Sequence, residues 1–101
     1  MFGDMMSKLQ EMKKQMEESK KRLDSITVMG ESGGGNIVVV ANGNRKITDI
    51  KIKEELLKSD KEEIEELLTV AVNRAIEQAD KINEAEMQTS AKSFLPGFPG
   101  L

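Results

Sequence analysis

The amino-acid sequence predicts an α+β fold in which two long helices flank a three-stranded antiparallel sheet. Residues 4–25 contain no glycine or proline and repeat apolar residues every three or four positions, which is the spacing of a helix. Residues 26–52 hold three short β-branched runs separated by glycine and asparagine turns. From residue 59 the helical spacing returns. The predicted element order is therefore α-β-β-β-α.

The first predicted helix carries a heptad seam of apolar residues. Its members are Met5, Leu9, Met12, Met16, Leu23 and Ile26, and Ser19 fills the one gap. Two interpretations stay open. The seam packs on the sheet of its own chain, or it is shared with a second chain, and the two can hold on different parts of the helix.

The middle of the chain reads as a meander of three strands, predicted over residues 26–31, 36–42 and 45–52. Three consecutive glycines, Gly33 to Gly35, precede the second strand and tolerate the positive φ of a sharp turn. Asn42 and Gly43 follow it and form the preferred pair for a tight hairpin. The short connections predict antiparallel pairing.

The second and third strands differ in their patterns. The third alternates Thr48, Ile50 and Ile52 with Asp49, Lys51 and Lys53, as expected of a half-buried strand. The second is apolar on both faces, with Val38 and Val40 opposite Ile37, Val39 and Ala41. That pattern predicts a central strand, or one whose outer face is covered by a partner.

Ser59 and Glu62 form a capping box that predicts the start of the last helix. An apolar stripe follows, made of Ile64, Leu68, Ala71, Ala75, Ala79 and Ile82. The four-residue spacing of the alanines predicts close approach of another backbone. The helix is expected to run to about residue 91, within one domain of residues 1–93. Residues 94–101 are expected to be a flexible Pro/Gly tail.

The dimensions of these elements predict a symmetric homodimer with projecting helical arms. A helix of about 30 residues is roughly 45 Å long, whereas a strand of about six residues spans roughly 20 Å. The sheet is thus too short to cover either helix, and the apolar stripes need each other or a second subunit. Candidates for dimer or helix packing are Met5, Leu9, Met12, Met16, Val38, Val40, Ala71 and Ala75.

Catalysis finds little support in the residue types. The chain has no histidine and no cysteine, so it offers no imidazole base, thiolate nucleophile or His/Cys metal site. The glycine run leads into a strand and lacks the Lys-Ser/Thr of a phosphate loop. No apolar run approaches 18 residues. We expect a soluble, intracellular, non-enzymatic protein with no cofactor, no metal, no membrane partner and no small-molecule substrate.

Charge is divided unevenly along the chain. Residues 8–22 carry six Lys/Arg against three Glu, whereas residues 54–86 carry four Lys/Arg against eleven Asp/Glu. A basic surface of this kind suits a polyanion, and the scarcity of aromatic residues disfavours stacked single strands. Duplex phosphates are the remaining target. The candidate DNA-binding residues are Lys13, Lys14, Lys20, Lys21, Arg22, Arg45 and Lys46.

Several motifs together resemble the YbaB/EbfC family of bacterial nucleoid-associated proteins. They are Met1-Phe2-Gly3, Gln15-Met16, Gly30-Glu31-Ser32-Gly33-Gly34-Gly35, Asn42-Gly43, Ala71-Val72-Asn73-Arg74-Ala75 and Leu95-Pro96-Gly97-Phe98. The resemblance implies an α-β-β-β-α protomer and a cytoplasmic homodimer with tweezer-like arms. It also implies DNA binding that influences nucleoid organisation, without enzymatic activity. One departure is Lys53-Glu54, where the family often has an Asp-Pro turn.

The leading hypothesis is therefore a homodimer located in the cytoplasm and nucleoid that binds duplex DNA with little sequence specificity and affects nucleoid organisation and gene expression. The alternative hypothesis is a protein-interaction or scaffold module that recruits a partner through the acidic last helix or the tail. The resemblance assigns no DNA contact to a single side chain.

Overall fold

The computed structural model describes the backbone of residues 2–94 and the side chains of residues 3–91. The elements are α1 (Phe2–Ser25), β1 (Thr27–Ser32), β2 (Ile37–Asn42), β3 (Ile47–Ile52), a short 3₁₀ helix (Glu54–Lys58) and α2 (Lys61–Phe94). The predicted order α-β-β-β-α is confirmed. Apart from residue 94, which ends α2, the predicted tail of residues 94–101 lies outside the described residues.

The strands form one antiparallel sheet in the order β1-β2-β3. The central strand β2 buries Ile37, Val39 and Ala41 on one face and leaves Val38 and Val40 half-buried on the other. Helix α2 packs on the first face and lies mainly over β1 and β2. The protomer is thus a two-layer structure, and no helix of the described residues packs on the opposite face of the sheet, here called the outer sheet face.

The close approach predicted for the alanine stripe is confirmed. Ala71, Ala75 and Ala79 are fully buried under the sheet. Gly30 lies so near to α2 that a Cβ atom added to it would stand 2.2 Å from the backbone nitrogen of Ala75. Small residues on both sides therefore bring the β1 and α2 backbones into direct contact.

The burial predicted for β3 is wrong except at Ile52, which is half-buried and packs against the core. The pairing with β2 shifts between Val40 and Ala41, so that Asp49 faces Val40 while Ile47 faces Ala41. This bulge leaves Thr48 as the extra residue and returns Ile47 to the face that carries Ile50. Ile50 is nevertheless 43% exposed, because α2 lies mainly over β1 and β2 and contacts the far strand β3 only marginally.

The turn between β2 and β3 also differs from the predicted tight hairpin. Four residues, 43–46, connect the strands, and the residue with positive φ is Arg45 (φ 64°). A glycine is needed at position 43 because the turn lies against the end of α1. A Cβ atom added to Gly43 would lie 2.8 Å from the carbonyl oxygen of Leu23. The side chain of Asn42 organises the turn by accepting a hydrogen bond from the N–H of Asn44 (2.9 Å). The predicted glycine turn before β2 is confirmed by positive φ at Gly33, Gly34 and Gly35.

The last helix begins one residue later than the capping box predicted. The carbonyl of Asp60 accepts the N–H of Ile64 (3.1 Å), so Asp60 is the first capping residue of α2. Ser59 is instead the C-cap residue of the preceding 3₁₀ helix and donates its N–H to the carbonyl of Leu56 (2.9 Å). Leu56 is 4% exposed and joins the core.

The seam of α1 divides into two halves. Ser19 and Leu23 are buried, at 2% and 1% exposure, where α1 meets α2 and the β2–β3 turn. Toward the start of the helix four seam residues are exposed, namely Met5, Leu9, Met12 and Met16. The described chain measures 67 × 24 × 18 Å, so the prediction that the helices overhang the sheet is confirmed.

Candidate nucleic-acid interface

The overhanging helices form one unit, here called the arm, which consists of α1 and the last turns of α2 from residue 83 to residue 94. The hydroxyls of Ser19 and Ser90 are hydrogen-bonded at 2.7 Å. One turn away, Arg22 donates from Nε and Nη2 to Oε1 of Glu86, at 2.9 and 2.6 Å. The two helices therefore run antiparallel and are joined by polar contacts at the middle of the arm.

The ion pair also sets the charge state of Glu86. Its hydrogen bond from Arg22 lowers the pKa of the Glu86 carboxyl, and a weaker desolvation effect opposes that shift. The side chain of Glu86 is 17% exposed and the side chain of Arg22 is 56% exposed. Arg22 is consequently occupied in holding α1 to α2.

The β2–β3 turn is fixed at the base of the arm. Asn44 donates its side-chain amide to the carbonyl oxygen of Lys20 (2.9 Å), and Asn83 of α2 donates to the carbonyl of Gly43 (3.1 Å). Arg45 forms an ion pair with Asp80 of α2. The turn thereby connects both helices, and its arginine is neutralised by a carboxylate.

Lys8 is exposed near the start of α1, and the second half of the helix carries four accessible lysines of the arm: Lys13, Lys14, Lys20 and Lys21. All four are exposed, and none forms a salt bridge within the part of the chain that the structure describes. A step of seven residues advances a helix by about 10.5 Å and nearly restores its direction. Lys13 and Lys20 thus form one row and Lys14 and Lys21 a second, here called the lysine rows.

An apolar groove lies beside the first lysine row. This groove, here called the arm groove, has a volume of about 350 Å³. The residues that line it are Lys13, Met16, Glu17, Lys20, Leu23, Asn44 and Met87. Met16 and Met87 are 58% and 47% exposed, so the floor of the groove is open to solvent. Asn44 and Met87 were not predicted for this surface, because only the tertiary packing brings the turn and α2 beside α1.

The structure thus separates the seven predicted DNA-binding residues. The four lysines share one helix, and Lys46 is exposed at the end of the β2–β3 turn. Arg22 and Arg45 are both paired with carboxylates of α2. The sequence alone could not indicate that pairing, since the partners are 64 and 35 residues away.

The residues predicted for dimer or helix packing also fall into separate groups. Ala71 and Ala75 are buried within the protomer against β1. Val38 and Val40 lie on the outer sheet face, next to the 57% exposed Met29. The four seam residues, Met5, Leu9, Met12 and Met16, are exposed along the arm.

The described residues also bear on other kinds of site. Residues 2–94 contain no group of three or more Asp or Glu side chains placed to hold a metal ion. Within the same range, no helix combines the length and the hydropathy needed to cross a membrane.

Comparisons with known proteins identify the family. A sequence model of the YbaB/EbfC DNA-binding family matches residues 1–94. A nucleoid-associated protein of Flavobacterium johnsoniae is 38% identical over 97 residues, which cover 96% of this chain and 91% of that protein. The chain belongs to the YbaB/EbfC DNA-binding family. The resemblance seen in the sequence motifs is thereby confirmed.

Other relatives of this YbaB/EbfC chain carry the same description. A nucleoid-associated protein of Hahella chejuensis is 36% identical over 99 residues, covering 96% of this chain and 92% of its own. A nucleoid-associated protein of Legionella pneumophila is 35% identical over 86 residues, which cover 85% of this chain and 77% of that protein. All three relatives are bacterial proteins named for their association with the nucleoid.

The fold of the YbaB/EbfC chain is shared with a solved structure. The crystal structure of an uncharacterized protein from Helicobacter pylori superposes with a TM-score of 0.76 at 26% sequence identity. The match covers 94% of this chain and 97% of that one. The two proteins therefore share the same overall fold.

Proposed function

We propose that this protein is a non-enzymatic nucleoid-associated protein that binds duplex DNA as a homodimer with little sequence specificity. In this role it would affect nucleoid organisation and gene expression. The observation that supports the proposal most directly is the set of four exposed lysines of the lysine rows, which form no salt bridge with the residues that the structure describes. They belong to a chain of a DNA-binding family.

The chemistry of these lysines favours phosphate contacts. A lysine ammonium is a mobile point charge, and phosphate contacts position a protein on DNA without reading its sequence. The chain has three aromatic residues and no tryptophan or tyrosine, which leaves few side chains for stacking on bases. Weak sequence preference follows from this composition.

The first half of α1 is less suited to DNA than the second. Between Phe2 and Met12 the helix carries Asp4, Lys8 and Glu11, so its net charge is slightly negative. The positive charge begins at Lys13 and continues to Lys21, where the helix meets α2 and the β2–β3 turn. DNA would therefore contact the base and middle of the arm.

The homodimer is supported by the outer sheet face. Val38 and Val40 occupy its centre beside Met29, and no helix covers them within the described protomer. The charged Asp49 and Lys51 of β3 disfavour pairing through the free edge of the sheet, and they flank Val40 and Val38 at the rim of the outer sheet face. The carboxylate of Asp49 also accepts the N–H of Ile50 (2.9 Å). Two protomers packed by their outer sheet faces would place two sets of lysine rows on one particle.

The direct test reverses the charge of the lysine rows. In a duplex titration, the variant with Lys13, Lys14, Lys20 and Lys21 replaced by glutamate should lose most of its affinity. The matched control replaces four exposed lysines outside α1 by glutamate, namely Lys53, Lys58, Lys61 and Lys81. This control variant has the same net charge as the first variant and should bind the duplex far more tightly. Equal affinity of the two variants would contradict the proposed surface.

A further inference from the structure

The arm groove has no occupant within the described residues, although its floor is apolar. Leu23 is buried at its base, while Met16 and Met87 present exposed thioether side chains across it. The groove lies near the end of α2, and the chain continues from that end. Residues 95–101 follow immediately, and they lie outside the described residues.

We propose that residues 95–101 bind in the arm groove of their own chain, with the side chain of Phe98 against Met16, Leu23 and Met87. The distances permit this. Met87 precedes the end of α2 at Phe94 by seven residues, which is about 10.5 Å along the helix. Phe98 follows Phe94 by four residues, and an extended chain of that length reaches about 13 Å. A phenyl ring at position 98 can therefore return to the groove.

The sequence of the segment suits such a site. Leu95, Phe98 and Leu101 are spaced by three residues and separated by two Pro-Gly pairs. Three residues is the repeat of a polyproline II helix, so this spacing matches apolar residues on one side of such a helix. Proline also lowers the conformational entropy that a free segment loses on binding.

The chemistry of the groove favours an aromatic occupant. Methionine adapts its shape to a neighbour, and its sulfur makes favourable contacts with aromatic rings. The groove volume of about 350 Å³ is ample for one phenyl ring and part of its backbone. Binding of Phe98 would cover apolar surface on α1 and α2 together, and so add apolar packing to the polar contacts of Ser19 and Arg22.

The test uses a Phe98→Trp variant of the full chain, which contains no other tryptophan. Its emission should be blue-shifted and protected from acrylamide. Adding Met16→Gln and Met87→Gln should shift the emission to the red and remove the protection. Adding Met5→Gln and Met6→Gln, two exposed methionines outside the groove, should leave both readouts unchanged. Circular dichroism of each variant confirms that the helices are retained.

Two results would overturn the proposal. One is a solvent-exposed emission in the Phe98→Trp protein itself, or an emission to which the groove substitutions make no difference. The other is a protection of the tryptophan from acrylamide that is lost on dilution while the fold persists. Residues 95–101 would then bind the groove of a second copy of the chain. The measurement contains no DNA, so its outcome is independent of the proposed DNA binding.

Discussion

Single residues decide how closely the layers of this protein approach. Gly33, Gly34 and Gly35 could be recognised from the sequence as turn residues, and their positive φ values agree. The role of Gly30 could not be recognised, because the backbone it meets belongs to a helix more than 40 residues later. A glycine that permits contact has no local signature, whereas a run of glycines before a strand does.

Gly30→Ala should destabilise the fold severely. The new Cβ would lie 2.2 Å from the backbone nitrogen of Ala75 and 2.4 Å from the carbonyl oxygen of Ala71. Neither atom can move without displacing α2, so the expected loss is about 3 kcal/mol. Urea unfolding measures it. The control is Gly3→Ala, whose new Cβ would meet no atom within 4 Å. It should leave the free energy of unfolding unchanged or slightly higher. A similar loss of stability in both variants would refute the packing described for Gly30.

The Arg22–Glu86 pair should make a small part of the stability depend on pH. The pKa of Glu86 is lowered in the folded state by the hydrogen bond from Arg22. Its stabilisation is therefore complete above the unfolded carboxyl pKa of about 4.3 and is lost as the pH falls through the folded value. For a partly exposed pair we expect at most about 1 kcal/mol at pH 7.

Urea unfolding of the wild type and of Glu86→Gln, from pH 7 to pH 3, measures this contribution. The stability difference between the two proteins should shrink toward zero as the solution is acidified. Glu84→Gln removes an exposed carboxylate that has no ion-pair partner among the described residues, and it serves as the matched control for the loss of one negative charge. A difference for Glu86→Gln that is constant over the range would show that the ion pair does not form in solution.

At the level of elements, α1 combines two environments in one heptad pattern. The pattern itself predicted the helix correctly but could not indicate which seam residues are covered. Leu9 and Leu23 occupy equivalent heptad positions, yet they are 61% and 1% exposed. The difference arises because α2 and the β2–β3 turn reach only the second half of α1.

This pair of leucines offers a matched test. Leu23→Ala should cost about 3 kcal/mol, because a buried side chain leaves a cavity. Leu9→Ala should cost less than about 0.5 kcal/mol, as expected for a surface substitution. Thermal or urea unfolding compares them directly. An equally large loss at Leu9 would mean that the first half of α1 is packed against a second chain.

The strands show where local pattern stops being informative. The alternation in residues 45–52 predicted the existence of β3, and the structure contains it. Its burial depended on how far α2 extends across the sheet, which no residue of β3 encodes. The Asn42–Gly43 signal likewise located the turn but not its type, because Gly43 is used to approach Leu23.

For the whole molecule, the outer sheet face should be the dimer contact. Val40→Lys places a charge at its centre, and sedimentation should then show a monomer where the wild type is a dimer. Val70→Lys makes the same change at an exposed valine of α2 and should leave the dimer intact. A folded wild-type monomer at micromolar concentration would exclude the proposed homodimer altogether.

The candidate site could be predicted from the sequence only in part. The lysines of α1 could be named, since their charge is local to one helix. Arg22 and Arg45 could not be distinguished from them until the fold placed Glu86 and Asp80 beside the two guanidinium groups. The arm groove was equally beyond reach, because it joins residues of three separate elements.

The central claim, that the lysine rows bind duplex phosphates, is tested most directly by the salt dependence of duplex affinity. Each phosphate contact contributes about −0.9 to the slope of log K against log salt concentration. The wild type should show a steep negative slope, and charge reversal of Lys13, Lys14, Lys20 and Lys21 should make it markedly shallower. Charge reversal of Lys53, Lys58, Lys61 and Lys81 should change it much less. A wild-type slope near zero, or one that both sets of substitutions reduce equally, would contradict the claim.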